Sequence, residues 1–337
     1  MKKQVEAVQD KIDFSGAVLA KGENTEYRAA YGYADRENKI SNNVETRFGI
    51  ASGCKLFTAI AVSQLAEKGQ LDLNGKLEIY LDFEFPHFDD SITIHHLLTH
   101  TSGVPDYFDE DEMDDFEALW DDTPMYSLRS LKDFIPLFDD RKMKFSPGDR
   151  FHYNNAGYIL LGLVVESVSG MAFEDYVEKY VFSRAGMNSS GYFSFDQLPG
   201  NVATGYIELE DGSWKSNIYS LPVKGGADGG AFITVDDMDR LWEALMANML
   251  LDQEYTALLL EPHAQEDDTS FYGYGVWIDK KAETIEKYHV MGYDPGVSFH
   301  SAYYPGSKTR LTVCANQSEG AYDIMETIED VMDDNKI

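Results

Sequence analysis

The chain has 337 residues, 43% of them apolar, with 59 acidic against 28 basic residues and a formal charge of -31 at pH 7. That length supports about two domains or one two-lobed unit with a large core, and the acidity argues against nucleic acid, anionic membranes or phosphate-rich surfaces as partners. Cys54 and Cys314, far apart and outside any CxxC spacing, exclude a disulfide framework and argue against a structural zinc.

The N-terminal stretch MKKQVEAVQDKIDFSGAV has the two lysines of a secretion signal, but Glu6, Asp10, Lys11 and Asp13 interrupt any apolar segment. No run reaches the roughly 18 apolar residues of a membrane helix. As written, the sequence reads as a soluble cytoplasmic protein, or an extracytoplasmic one if a signal has been removed. Residues 14 to 50 alternate apolar and polar in short bursts around the turn-like KGENTE, which predicts antiparallel strands and a sheet at the start of the fold.

Residues 52 to 68 predict a helix stopped by Gly69. Its apolar residues, Leu56, Phe57, Ile60, Val62 and Leu65 among them, cover nearly all faces, so the helix is expected to be buried on every side. From about 71 to 215 the spacing becomes helical, in SITIHHLLTHTSG, SLRSLKDFIPLF, NAGYILLGLVVESVSG and AFEDYVEKYVF. The acidic DYFDEDEMDDFEALWDD lacks the glycine and the Asp/Asn alternation of a calcium loop, and reads as a solvated face or lid. Beyond the glycine-rich GGADGG, strand-like stretches return, and AYDIMETIEDVMDDNKI closes the chain as an amphipathic helix. This order predicts a discontinuous α/β lobe, residues 1–70 and 216–337, with an antiparallel sheet flanked by helices, against a mainly helical lobe over 71–215 and an active site between them.

Two features carry chemistry. Ser52-Gly53-Cys54-Lys55 puts a hydroxyl and an amine three residues apart on one helical face, where the amine can help take the proton that a serine must lose to become a nucleophile. The bland alternative is an N-cap serine and a surface lysine. Against it, lysine is disfavoured at the positive end of a helix dipole, and the apolar neighbours leave Lys55 little solvent. Burial there is expected to lower its pKa and make it a proton shuttle. The second feature is Tyr153-Asn154-Asn155 ahead of a helix. A phenol acts as a base only if its pKa is pulled well below about 10, which a nearby Lys55 ammonium is expected to do, while Asn155 can hold Lys55 and donate to a substrate carbonyl.

FGIASGCKLFTA, ITIHHLLTHTSGVPDY, FSPGDRFHYNNAGYILLGLVVESVSG and GGADGGAFITVDDM, in that order, resemble the successive signatures of the class C β-lactamase-like serine hydrolases. That group includes class C β-lactamases, D-Ala-D-Ala carboxypeptidases, D-aminopeptidases and related esterases. The resemblance covers residues from about 15 to 315 and implies a two-lobed α+β fold of the β-lactamase/transpeptidase kind. It further implies Ser52 as the acylated nucleophile, Lys55 as its proton-shuttling neighbour, Tyr153 as general base and Asn155 as positioner. It makes LLTHTSG a structural signature, so that His96 and His100 are not expected to bind metal; no cofactor is expected.

The third family motif departs. The resemblance implies Lys-Thr-Gly or His-Thr-Gly shortly before a Pro-Gly turn, but counting back from Pro295-Gly296 gives Val290-Met291-Gly292, with His289 one residue early. On a strand one residue is the opposite face. Either a bulge turns His289 inward or the site lacks the polar head that would meet a β-lactam or peptide carboxylate. The family pattern places the oxyanion between the backbone N–H groups of Ser52 and a residue just after Gly292, namely Tyr293. The expected substrate is a small ester or amide, with a β-lactam or D-peptide as the alternative and a non-turnover penicillin-binding scaffold or sensor behind them. Oligomeric state is open.

Overall fold

The computed structural model describes residues 1–83 and 85–334; Glu84 and the last three residues of the expected terminal helix lie outside the described residues. The chain begins with helix α1, Lys2–Ile12, not with the sheet that the strand-like bursts predicted. Only Val5, Val8 and Ile12 face inward among its charges. Strands β1, Gly16–Lys21, and β2, Glu26–Tyr31, follow as a hairpin closed where Gly22 N–H donates to Thr25 O.

Helix α2, Lys55–Glu67, is buried from Lys55 through Ala66, as expected of a helix apolar all round. Gly69 stands beyond it at φ 67°. Residues 71–215 are richer in loops and tight turns than their spacing predicted. SLRSLKDFIPLF forms a 3-10 segment, Leu131–Leu137, because Pro136 has no N–H for an α-helical bond, and AFEDYVEKYVF relaxes into a π turn over Glu178–Phe182. The long helix of this region is α3, Asn155–Ser169. Asn154 caps it by accepting the Gly157 N–H at 2.6 Å, and Gly170 ends it at φ 70°.

Helix α4, Val235–Met246, precedes strands β3 (Ala264–Gln265), β4 (Ser270–Tyr272), β5 (Trp277–Lys281), β6 (Thr284–Asp294), β7 (Val297–Tyr304) and β8 (Thr309–Ala315), and helix α5 is Ala321–Asp334. The sheet runs β2-β1-β8-β7-β6-β5-β4-β3 with every pair antiparallel, so the first strands of the chain join the last. Alternation sorts its two faces. Val18, Ala20, Leu311 and Val313 pack outward against α1 and α5. Ala17, Leu19, Phe299 and Cys314 face a second core that continues without a break through α2, α3 and α4. Among the described residues no single helix is long and apolar enough to cross a membrane.

Candidate active site

Ile50 N–H donates to Ala231 O at 3.0 Å, and Ala51 then takes φ 45°, a left-handed conformation that is strained for a residue with a Cβ. A 3-10 turn, Ala51–Cys54, follows and feeds α2. Ser52 therefore stands on a tight turn ahead of the helix, partly exposed, while Cys54 and Lys55 point into the core. Cys54 is a packing residue, and burial pushes its thiol up to about 12.

Lys55 is 1% exposed. Its Nζ lies 2.9 Å from Ser52 Oγ, 2.8 Å from Asn155 Oδ1 and 2.7 Å from the Asp228 carbonyl oxygen, so the three protons of an ammonium each meet an acceptor. The first turn of α3 aims Asn155: its N–H donates to Asp106 Oδ2 at 2.6 Å, Ala156 N–H donates to the same carboxylate at 3.0 Å, and Asn155 Nδ2 donates to Phe108 O at 3.2 Å. Its amide is thus committed on both sides, to Lys55 and to the loop before it.

Tyr153 lies under the same ammonium, with Nζ 4.8 Å from its ring centre, and its hydroxyl is hydrogen-bonded to Ser52. Trp277 stacks on the ring at 6.1 Å. Here the structure reverses an expectation. Burial and the Glu110 carboxylate push the phenol well above its ordinary value, outweighing the hydrogen bond from Ser52, so Tyr153 is a neutral phenol and not a tyrosinate.

Gly292 brings β6 against the serine turn: a Cβ there would stand 2.2 Å from Ile50 O and 2.8 Å from Ser52 N. This close approach sets the backbone of Tyr293 beside that of Ser52. The Tyr293 side chain turns away, its hydroxyl 2.5 Å from His300 Nε2. His289 is not turned inward. β6 pairs with β7 in unbroken register from Tyr288 to Asp294, and the irregularity on its other edge falls at Asp279/Lys280. The imidazole lies over Trp277 with Nε2 3.2 Å from Asp279 Oδ1, and Val290 is buried in the core. Neither lines the cavity beside Ser52; Met291, like Phe151 and Tyr153, packs against the cluster of Ala264, Tyr272 and Trp277.

That cavity holds about 450 Å³ and is walled by Ser52, Asn155, Tyr107, Phe116, Phe193 and the Asp294-Pro295-Gly296 turn, with other residues around them. Several acidic groups in it, or behind its wall in the case of Asp106, escaped the sequence reading. Asp228, within the quoted GGADGG, is buried, and its carboxylate accepts from the Tyr107 hydroxyl. Burial raises it against the pull of Lys55. Asp294 is pushed up to about 8 by burial and by the Asp228 charge, with Glu110 adding to both against Lys55. Asp106 is raised to about 7 by burial despite the N–H groups it caps.

His96 and His100 serve backbone: Thr93 N–H donates to His96 Nδ1 at 3.2 Å and Asn154 N–H to His100 Nδ1 at 3.1 Å. In the acidic stretch Asp109 and Asp111 flank His152 closely enough to hold an ion, but the Lys144 ammonium already sits on Asp109.

An α+β chain with a large antiparallel sheet and a buried Ser-x-x-Lys pair under a tyrosine belongs to a definable class, and the comparison with known families agrees. The family model described as Beta-lactamase matches residues 2–329, and the chain belongs to that family. A crystal structure of a penicillin binding protein from Bacillus halodurans is 60% identical, with a TM-score of 0.94 over 97% of this chain and 99% of that one. Penicillin-binding protein 4* of Bacillus subtilis is 28% identical over 331 residues, 93% of this chain and 70% of that protein. The octameric penicillin-binding protein homologue from Pyrococcus abyssi is 25% identical with a TM-score of 0.85, over 96% of this chain and 74% of that one.

Proposed function

We propose that the protein is a serine hydrolase that forms an acyl-enzyme on a small ester or amide. The observation that carries this is the Lys55 Nζ held 2.9 Å from Ser52 Oγ inside the core, with Tyr153 hydrogen-bonded to the same hydroxyl. Ser52 Oγ attacks the carbonyl carbon as its proton passes through the Tyr153 hydroxyl to Lys55 in its amine form. The pair returns that proton to the leaving group as the carbon–leaving-group bond breaks, and water then releases the acid by the same route. The backbone N–H groups of Ser52 and Tyr293 hold the oxyanion. Asn155 fixes Lys55, and His289, held by Asp279, takes no direct part.

The third motif orders the substrates. With Val290 buried where the family carries lysine or histidine, no cation on β6 meets a β-lactam carboxylate, which favours uncharged or cationic esters and amides. The test is intact-mass detection of a Ser52 adduct with a fluorophosphonate, absent in Ser52→Ala, together with kcat/KM for p-nitrophenyl butyrate against nitrocefin. Turnover of the ester with the adduct on Ser52 is expected. No adduct and no turnover of either substrate would overturn the reading, and a strong nitrocefin preference would overturn the ordering.

A further inference from the structure

We propose that Lys144 and His152 are positioning residues: together they clasp the loop of residues 109–116 to the body of the protein, and the loop so held is the wall of the cavity that meets the substrate. This rests on the hydrolase reading above, since the wall bears on the reaction only if that cavity receives the substrate.

The loop needs holding. Phe108, Glu110, Asp114, Asp115 and Phe116 line the cavity beside Ser52, yet residues 106–116 form neither helix nor strand. The backbone bonds of the loop turn back on itself: Glu112 N–H and Met113 N–H donate to Asp109 O at 3.0 and 2.8 Å, and Asp111 N–H donates to Asp109 Oδ1 at 3.1 Å. The ties that reach the body of the protein are made by side chains. Asp109 is 4% exposed, and the Lys144 ammonium sits on its carboxylate while reaching Glu112 Oε1 at 3.0 Å. His152 spans the other side, with Nε2 3.1 Å from Asp109 Oδ2 and Nδ1 3.2 Å from Asp111 Oδ2.

Both anchors stand on the segment that leads into Tyr153. Lys144 N–H donates to Gly103 O and His152 N–H to His100 O, each at 2.8 Å, and His152 immediately precedes Tyr153. The wall is therefore set from the same backbone that places the phenol. Charge decides which anchor matters more. A neutral imidazole has one N–H and can donate to only one of its two aspartates, and burial together with Lys144 holds His152 below its ordinary value. Lys144 is thus the cation that answers the buried Asp109, and a buried carboxylate stripped of its partner is driven out to water. Losing Lys144 releases the wall, while Ser52, Lys55 and Tyr153 keep their contacts with one another.

The test compares Lys144→Met with the double variant Asp109→Asn/Lys144→Met, in which the buried charge is removed along with its partner. With p-nitrophenyl butyrate, Lys144→Met is expected to raise KM about tenfold with kcat changed by less than about threefold, the mark of lost binding that the transition state does not add to. Fluorophosphonate should label Ser52 to the same extent as in the unaltered protein. The double variant should bring KM back to within about threefold of the starting value, and Lys142→Ala, an exposed charge two residues away, should change nothing. As a readout that needs no turnover, a glutamate-specific protease should cut at the exposed Glu110 and Glu112 about tenfold faster in Lys144→Met and at the original rate in the double variant. Unchanged KM and cleavage in Lys144→Met, a double variant that recovers neither, or a smaller labelled fraction at unchanged KM, which is what a merely structural role gives, each overturns the inference. Failure of the unaltered protein to label overturns the hydrolase reading instead, and the cleavage rates then judge the clasp alone.

Discussion

If Ser52 is the nucleophile proposed above, Tyr153 and Lys55 together fix how it can lose its proton. The phenol is neutral because burial raises it, and the three acceptors around Nζ suit an ammonium. Ser52 can therefore attack only when Lys55 is present as the amine, the phenol keeping its own proton. Tyr153 is therefore expected to relay as a phenol between Ser52 and the Lys55 amine. Stopped-flow bursts with an activated ester measure this step. Tyr153→Phe removes only the hydroxyl and should slow acylation by about 10²–10⁴-fold, with little change in Tm because the ring still stacks on Trp277. At this scale the sequence placed Ser52, Lys55, Tyr153 and Asn155, which the fold brings together, because spacing on a helix and at a helix start is local information. It misjudged the direction of the Tyr153 shift, which depends on Glu110 and on burial by residues distant in sequence.

Among the elements, β6 holds the narrowest tolerance. A Cβ on Gly292 would meet the Ile50 carbonyl oxygen at 2.2 Å and the Ser52 nitrogen at 2.8 Å, backbone on both counts, so no side chain can yield to admit it. Gly292→Ala is expected to push β6 off the serine turn, costing about 1–3 kcal/mol and most of the acylation rate, because the oxyanion donors separate. Gly306→Ala, in the turn between β7 and β8 where a Cβ meets nothing within 4 Å, should leave both Tm and rate unchanged. If Gly292→Ala acylates normally, the second oxyanion donor is not on β6. The register of this strand was legible from Pro295-Gly296, since a turn fixes the count. The fate of His289 was not, because its partners Trp277 and Asp279 come from β5, a neighbour that only tertiary pairing selects. Helix α1 escaped for the opposite reason: its stripe of Val5, Val8 and Ile12 is too narrow to stand out until α5 covers it.

Over the whole molecule, acidity sets the conditions under which the fold is most stable. The formal charge of -31 makes self-repulsion grow as carboxyls ionise, but Asp106 and Asp294 add a separate effect. Their folded values, about 7 and about 8, lie above the ~3.9 of an unfolded aspartate. Groups raised in this way contribute stability that is full below pH ~4 and lost as pH rises through the folded values, so Tm is expected to fall from about pH 4 to about pH 8 and to level off above that. Exposed carboxyls held low by local hydrogen bonds, such as Asp35 and Asp267, act only at the acid end. Salt separates the two causes. At 0.5 M the Debye length is under ~8 Å, so surface repulsion is screened while the desolvation of Asp294 is not. Asp294→Asn should therefore flatten part of the decline that survives in high salt, with Tm at pH 9 rising by about a degree or two. A variant whose Tm falls at pH 9 would show instead that the Asp294 charge stabilises the fold, with Lys55 as the cation that answers it.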